Sequence, residues 1–415
     1  MDWTSISIGI DRIMGDDVTR VGFALIGGRD WTGGRNYLIN LLRALSRYER
    51  RRIEPVLFVG PDVNDEDLIE IRALSGVVVV VGRAWDRARR SRALVNALLI
   101  GRDREVESEL KAQSIDVFFE SARFIGRNTT VATVAWIPDL QHRLMRDFFP
   151  LSQWLKRELG IRAQRQGGRL MMFSSDSARR DYLSCYSGGE DEGRVVRFSI
   201  PPASGVSFDD ARKIAASYGL AEGYFFLPNQ FWRHKNHEVV IEALALLERS
   251  GVRGVVAATG KAMDPRAPGH FEILMDRVQR DGLADRFRYL GMVPYEHLIA
   301  LLRGAKALLN PSLFEGWSTT VEEARSLGVP MLLSDIPVHR EQMGDGAEYF
   351  DPRDPESLAA ALKAFPEHRI ESRLEPDSVP SERAERRYRI FAQEFADTCE
   401  EALASFRRRS GSDTA

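Results

Sequence analysis

Cysteine is almost absent. The 415 residues hold only Cys185 and Cys399, far apart and outside any metal-ligand spacing, which argues against a disulfide-stapled fold and a cysteine-based zinc site. Neither sign of charge dominates: 58 Lys and Arg stand against 60 Asp and Glu, a net charge of −2, so a general nucleic-acid binder is not expected. Nowhere does an apolar run approach the roughly 18 residues that a membrane-spanning helix needs. The opening MDWTSISIGIDRIMGDD lacks the basic region and apolar stretch of a signal peptide. The expectation is a soluble, cytoplasmic protein with two separate thiols.

What the chain does have is length and apolar content for packed cores, 44% hydrophobic residues over a span that suggests two domains. After a short extension, apolar runs alternate with helical stretches: Val21–Gly27, Ile53–Gly60, VVVVV ending at Val81, IDVFFE at 115–120, TVATVAWIP at 130–138 and RLMMFSS at 169–175. Each run is apolar throughout, as in parallel strands covered by helices on both faces. Composition breaks at 185–205, rich in glycine, acids and a proline pair, and the alternation then restarts with GYFFLP, GVVAATG, FRYLG, AKALLN, VPMLLSD and AEYFDP. The fold class expected is α/β, with two doubly wound Rossmann-like domains facing a cleft. Their spans are 1–200 and 201–379, followed by a tail helix, 380–415, with Tyr388, Phe391 and Phe395 on one side.

Ligands of open α/β sheets bind beyond the carboxyl ends of the strands, which directs attention to four strand-following segments. In NPSLFEGWSTTVEEARSLGVPMLLSD, 310–335, an apolar run ends at Asn310, a loop carries Glu315 and Gly316, and a helix starts near Ser318–Thr320. Backbone N–H groups at such a helix start favour a phosphate, which makes Gly316, Trp317, Ser318 and Thr319 donor-binding candidates. Glu315 is placed to accept hydrogen bonds from sugar hydroxyls, and Glu323 from both hydroxyls of a ribose. Thr319-x-x-Glu322 and Thr320-x-x-Glu323 also fit a capping box, in which the glutamate merely satisfies the helix end. In PNQFWRHKNH, 228–237, Lys235 stands at the start of a helix beginning near Asn236, and Arg233 is close by. Such cations neutralise a diphosphate, the arginine in bidentate fashion. The loop GGRDWTGGRNY, 27–37, brings Gly33 and Gly34 to the opening of a helix, where the missing Cβ atoms permit close approach of a phosphate. In AWIPDLQHRLMRDFFP, 135–150, Asp139 and His142 follow a buried strand and are expected to reach the cleft.

The segment FEGWSTTVEEA resembles the signature of glycosyltransferase family 4, the retaining group with the GT-B fold, which has two glutamates separated by seven residues in a setting like FEGFGLPVLEA. Similarity extends through SLGVPMLLSDIPVHREQMGDGAEYFDP and more weakly over most of the second domain. The resemblance implies that Glu315 contacts the donor sugar and Glu323 the nucleotide ribose. It implies that Lys235 binds the donor diphosphate; at the position of the family's companion arginine this chain has Gln230, so Arg233 is the candidate substitute. It further implies that Asp139, and His142 in place of the family histidine where Pro138 stands, act on the acceptor side, and that the tail helix packs back on the first domain.

The reaction implied is transfer of a hexose-type sugar from a GDP- or UDP-linked donor to a saccharide or lipid-linked acceptor in surface polysaccharide synthesis. The cation and helix start stabilise the departing diphosphate, and the leaving phosphate oxygen helps deprotonate the acceptor. No metal and no cofactor beyond the donor substrate are expected, and no nucleic acid. Asp65 and Asp67 form a D-x-D, but ahead of a helix, where capping is the expectation. Ser174 and Ser175 are expected to cap the helix that follows them. The arginine-rich stretch RAWDRARRSR, 83–92, is either a solvated helix face or a contact with anionic lipid or acceptor, hence peripheral contact with the inner membrane face. The alternatives are a nucleotide-sugar epimerase on the same fold and a non-catalytic nucleotide-sugar-binding protein. A glycoside hydrolase would need the two glutamates but neither Lys235 nor glycine loops at helix starts.

Overall fold

The structure is a computed structural model, and it describes residues 18–26, 32–121, 123–186, 193–202, 206–366 and 378–412. Residues 1–17 of the expected N-terminal extension, residues 27–31 of the glycine loop and parts of the 185–205 break lie outside the described residues. Thirteen strands occur among the described residues. They are β1 (Thr19–Ala24), β2 (Ile53–Val59), β3 (Val78–Val81), β4 (Val117–Glu120), β5 (Ala132–Ile137), β6 (Leu170–Phe173), β7 (Arg194–Val195), β8 (Phe225–Leu227), β9 (Val256–Ala258), β10 (Phe287–Tyr289), β11 (Ala307–Asn310), β12 (Met331–Ser334) and β13 (Glu348–Phe350). They build a seven-stranded sheet in the order β3-β2-β1-β4-β5-β6-β7 and a six-stranded one in the order β10-β9-β8-β11-β12-β13. Val21 pairs with Val117 in the first sheet and Ala307 with Phe225 in the second, both in parallel register. Chain order therefore reverses beside β1 and beside β8, and the loops leaving β1, β4, β8 and β11 flank the positions where such sheets receive ligands. This is the doubly wound α/β architecture expected from the sequence.

The apolar runs are strands because both of their faces are covered. In the second sheet Phe225, Leu227, Ala307 and Leu309 join one core with the helices His237–Arg249 and His270–Arg280. The alternate residues Phe226, Leu308 and Leu333 join another, with the helices Tyr295–Gly304 and Thr319–Ser326. Side chains alternate across a strand with period 2, so a strand feeding two cores must be apolar at every position.

By compactness the chain divides into residues 1–134 with 392–415, and residues 135–391, a division that cuts through β5. In the first unit the end of the tail helix, which runs Ser378–Ser412, packs on the sheet: the Phe395 ring stacks on Phe23 at 5.9 Å and meets Phe119 edge-on at 5.2 Å. Arg52 clamps it with bonds of 2.5 Å to Asp397 and 2.8 Å to Glu400. In the second unit Phe391 meets Phe198 edge-on at 5.7 Å and Tyr388 is fully buried. Ser175 caps the helix Asp176–Cys185 through a bond from Ala178 N–H, as expected. Asp65 and Asp67 do not cap by side-chain bonds. They form a short 3₁₀ turn, and Asp65 pairs with Arg72 at 2.9 Å.

Candidate active site

The loops after β8 and β11 meet within the second unit. β8 stops at Leu227, and the chain crosses Asn229 into a 3₁₀ turn, Arg233–Lys235. Asn236 then takes a left-handed conformation, φ 57°, which asparagine tolerates better than most residues. Its side-chain amide donates to the carbonyls of Pro311 and Pro352, at 3.1 and 2.7 Å, pinning the turn to the neighbouring loops. Asn229 donates to the side-chain carbonyl of Asn310 at 3.1 Å, and Asn310 donates to Ser318 Oγ at 3.0 Å. These buried amides hold the two loops in fixed register.

That register places Lys235 and Glu315, eighty residues apart, in direct contact. Lys235 Nζ lies 2.5 Å from Glu315 Oε1, which also accepts from Ser312 Oγ at 2.7 Å. The side chains are 16% and 9% exposed. A pair so shielded interacts far more strongly than a surface pair, and removal of one partner leaves a poorly solvated charge. The two residues singled out for diphosphate and sugar thus share one spot, and each neutralises the other.

Gly316 follows. A Cβ there would come 2.2 Å from the Pro138 carbonyl oxygen and 3.0 Å from the Asp139 Cβ. The loop after β11 therefore rests on the loop after β5, and only glycine allows that approach. This brings Asp139 beside Gly316. Asp139 Oδ1 accepts from Gln141 N–H at 2.9 Å and from Arg157 at 3.1 Å. Trp317 Nε1 donates to the Phe198 carbonyl at 2.8 Å, so its indole anchors the segment after β7. Ser318 is the N-cap of the helix Thr319–Ser326, and its backbone N–H donates to Gln342 Oε1 at 3.1 Å.

Neither glutamate of that helix closes a capping box. The cap is Ser318 rather than Thr319 or Thr320, and the third residue after it is Val321. Glu322 is buried, accepts from Gln342 Nε2 at 3.2 Å, and has Arg325 and Arg387 at 3.6 and 3.8 Å. Glu323 is 5% exposed. Burial pushes its carboxyl up to about 7, against the opposing effect of a hydrogen bond with Tyr295.

His142 does not reach solvent, contrary to the expectation. It is 0% exposed, with the rings of Phe149 and Trp154 at 6.5 and 6.4 Å and Glu158 at 3.6 Å, too long for a hydrogen bond. Burial first, and then Arg157, lowers its pKa. The reason lies one helix away. Glu158 accepts from Arg143, Arg162 and Tyr186, and this cluster draws the residues after Gln141 inward. Burial alone would raise the Glu158 carboxyl, but those donors bring it to about 2.

Arg233 is exposed, its guanidinium 4.7 Å over the Phe148 ring, and it has no ion pair among the described residues. Arg266 escaped the sequence reading. It bonds Gln141 at 3.1 Å, His234 at 3.2 Å and Asp264 at 3.3 Å, between the rings of Phe149 and Trp232. It follows β9 in the loop TGKAMDPRAPG, and the strand-end rule that singled out the other loops also points to this one. Gly33 and Gly34 stand in the first turn of the helix Thr32–Tyr48. Among the described residues no group of three or more His, Cys, Asp or Glu is arranged to hold a metal ion.

Residues 211–379 match the family Glycosyl transferases group 1. The chain is 23% identical over 295 residues to O-antigen chain mannosyltransferase B of Escherichia coli, covering 68% of this chain and 73% of that protein. It is 31% identical over 143 residues to O-antigen chain mannosyltransferase RfbU of Salmonella typhimurium, covering 34% and 38%. Among solved structures, HepE of Anabaena in complex with UDP and glucose superposes with a TM-score of 0.67 at 16% identity, over 92% of this chain and 100% of that one. Sucrose-phosphate synthase of Thermosynechococcus elongatus does so with a TM-score of 0.59 at 14% identity, over 95% and 98%. The fold these structures share with the chain is GT-B. Residues 211–379, the part of the chain that matches the Glycosyl transferases group 1 model, hold Lys235, Glu315 and Glu323.

Proposed function

We propose that the chain is a retaining, metal-independent hexosyltransferase that uses a nucleotide-diphosphate sugar and acts in surface polysaccharide synthesis. The single observation that carries this reading is the Lys235–Glu315 contact, which puts a cation and a sugar-binding carboxylate within one hydrogen bond of each other. A nucleotide sugar has its glycosidic carbon bonded to the β-phosphate oxygen, so its hexose and diphosphate need partners that close together. On binding, Lys235 moves its charge toward the diphosphate, where negative charge builds as the bond to the sugar breaks, and Glu315 turns its oxygens to the hexose hydroxyls. Glu323, nearly dry and on the next helix, accepts both ribose hydroxyls. Asp139 lies against Gly316 and orients the acceptor; the departing phosphate oxygen takes the acceptor proton, so no protein nucleophile is required.

The named relatives support mannose as the sugar, and hence a GDP-linked donor ahead of a UDP-linked one. The acceptor is a saccharide, free or lipid-linked. Arg233 and Arg266 supply further positive charge in the absence of an arginine at Gln230. No helix among the described residues is long and apolar enough to cross a membrane, and the arginine-rich stretch at 83–92 is read as the site of peripheral membrane contact. The test is a panel of nucleotide sugars incubated with the purified protein and chelator, with anomeric configuration of the product read by NMR. Release of nucleoside diphosphate from a GDP- or UDP-hexose and an unchanged anomeric configuration support the reading. Turnover that depends on added metal, or an inverted product, overturns it.

A further inference from the structure

The helix Arg90–Leu99 is inverted relative to an ordinary surface helix. Its buried residues are Ala93 and Ala97, four apart on one face. Its large apolar residues Leu94, Val95, Leu98 and Leu99 are exposed, the last at 76%, and Ile100 just beyond is 62% exposed. At 3.6 residues per turn Leu94, Leu98, Val95 and Leu99 fall within an arc of about 140°, opposite the two alanines, so these side chains form one contiguous apolar surface. Helices of soluble proteins turn that stripe toward the core, and an exposed apolar surface of this kind marks an interaction site.

A cavity opens directly before this helix. It is about 90 Å³ and is lined by Leu25, Gly60, Trp85, Arg87, Arg90 and Arg123, among others. Leu25 follows β1, Gly60 follows β2, Trp85 and Arg87 follow β3, and Arg123 follows β4. The cavity therefore sits beyond the carboxyl ends of four parallel strands, where open sheets bind ligands. Three guanidinium groups line it against one carboxylate, Asp62, which stands 3.6 Å from Arg87. Arg123 is fixed over the Trp85 ring at 4.7 Å and donates to the Ala84 carbonyl at 2.6 Å. Cationic, rigid on one wall and only a few water volumes in size, the cavity suits a phosphate group.

We propose that the cavity binds the phosphate of a long-chain lipid acceptor and that the exposed face of the helix Arg90–Leu99 lies in the bilayer that carries it. Exposed apolar residues flanked by arginines on one helix are the pattern of an interfacial helix on an anionic membrane. The cavity adds recognition of one head group to that general attraction. That the lipid is an acceptor rests on the glycosyltransferase reading above; that it binds does not.

The test is vesicle flotation with the full chain. Vesicles of phosphatidylcholine alone are compared with vesicles brought to equal surface charge by phosphatidylglycerol or by hexadecyl phosphate. The expected result is weak binding to the first, stronger binding to the second and at least tenfold stronger binding again to the third. R87Q/R90Q should erase the preference for hexadecyl phosphate, and L99S/I100S, at exposed positions, should lower binding to all vesicles at least tenfold. Equal binding to both anionic vesicles would overturn the cavity's role. Binding of inorganic phosphate as tight as that of hexadecyl phosphate would assign the cavity to a soluble anion. Self-association in sedimentation that L99S/I100S abolishes, without vesicle binding, would assign the apolar face to a second copy. Titration of wild-type protein with nucleoside diphosphate in the same preparation reports on the donor site separately.

Discussion

Glu323 offers a quantitative test, because burial leaves its carboxyl poised at about 7. An unfolded glutamate ionises near 4.5, so between these values the unfolded chain gives up a proton that the folded one keeps. Stability therefore falls as pH rises through this window and levels off above about 7. The distance from 4.5 to 7, at about 1.36 kcal/mol per pH unit, corresponds to about 3 kcal/mol. Glu323→Gln keeps the shape and removes the ionisation. With an unfolding entropy of about 2.1 cal/mol/K per residue, a chain of 415 residues unfolding as one would gain about 3–4 °C. The variant should match wild type near pH 4.5 and melt about 3 °C higher at pH 8, as read by calorimetry at several pH values. The same carboxyl, if it grips the ribose as an anion, makes nucleotide affinity depend on pH with the opposite sign. Wild-type affinity should weaken by at least tenfold from pH 7.5 to 5.5, while Glu323→Gln binds weakly at both. Parallel melting curves with unchanged nucleotide affinity would refute both the buried carboxyl and its role.

Other residues make sharper, simpler demands. Gly316→Ala drives a methyl into the Pro138 carbonyl, so transfer should fall by two orders of magnitude or more while far-ultraviolet circular dichroism stays unchanged; a fully active variant would show that the two loops do not rest on each other. His142→Ala should lower the melting temperature through a cavity costing about 2–4 kcal/mol, with turnover of the remaining folded protein within a few-fold of wild type. A collapse of kcat at an unchanged melting temperature would restore the catalytic role expected from the sequence. For the Lys235–Glu315 pair, a double-mutant cycle with Lys235→Met and Glu315→Gln should show a coupling of about 1–3 kcal/mol in stability, and strictly additive effects would mean that the contact contributes nothing.

The sheets were legible because strands buried on both faces are apolar at most positions: GYFFLP and AKALLN announce themselves as runs. The pairing of Lys235 with Glu315 was half legible. The strand-end rule and the family resemblance placed both at the cleft, but the contact itself depends on Asn229, Asn236 and Asn310, whose side chains bond across loops in a way no spacing reveals. His142 misled because its burial is decided by Glu158, sixteen residues on, and by three donors that gather around it. The capping-box pattern at Thr319 and Thr320 failed for a local reason: the chain enters the helix one residue earlier, at Ser318. Arg266 was missed because its partners Gln141, His234 and Asp264 come from three separate loops.

The central claim is that Lys235 carries the charge of the departing diphosphate. Its most direct test is the rate at which purified protein, in chelator, releases nucleoside diphosphate from GDP- or UDP-linked hexoses, compared between wild type and Lys235→Ala at a temperature where both are folded. The expected result is a substrate in that panel and a loss on the order of a hundredfold or more in the variant. A Lys235→Ala protein that turns over at the wild-type rate would contradict it.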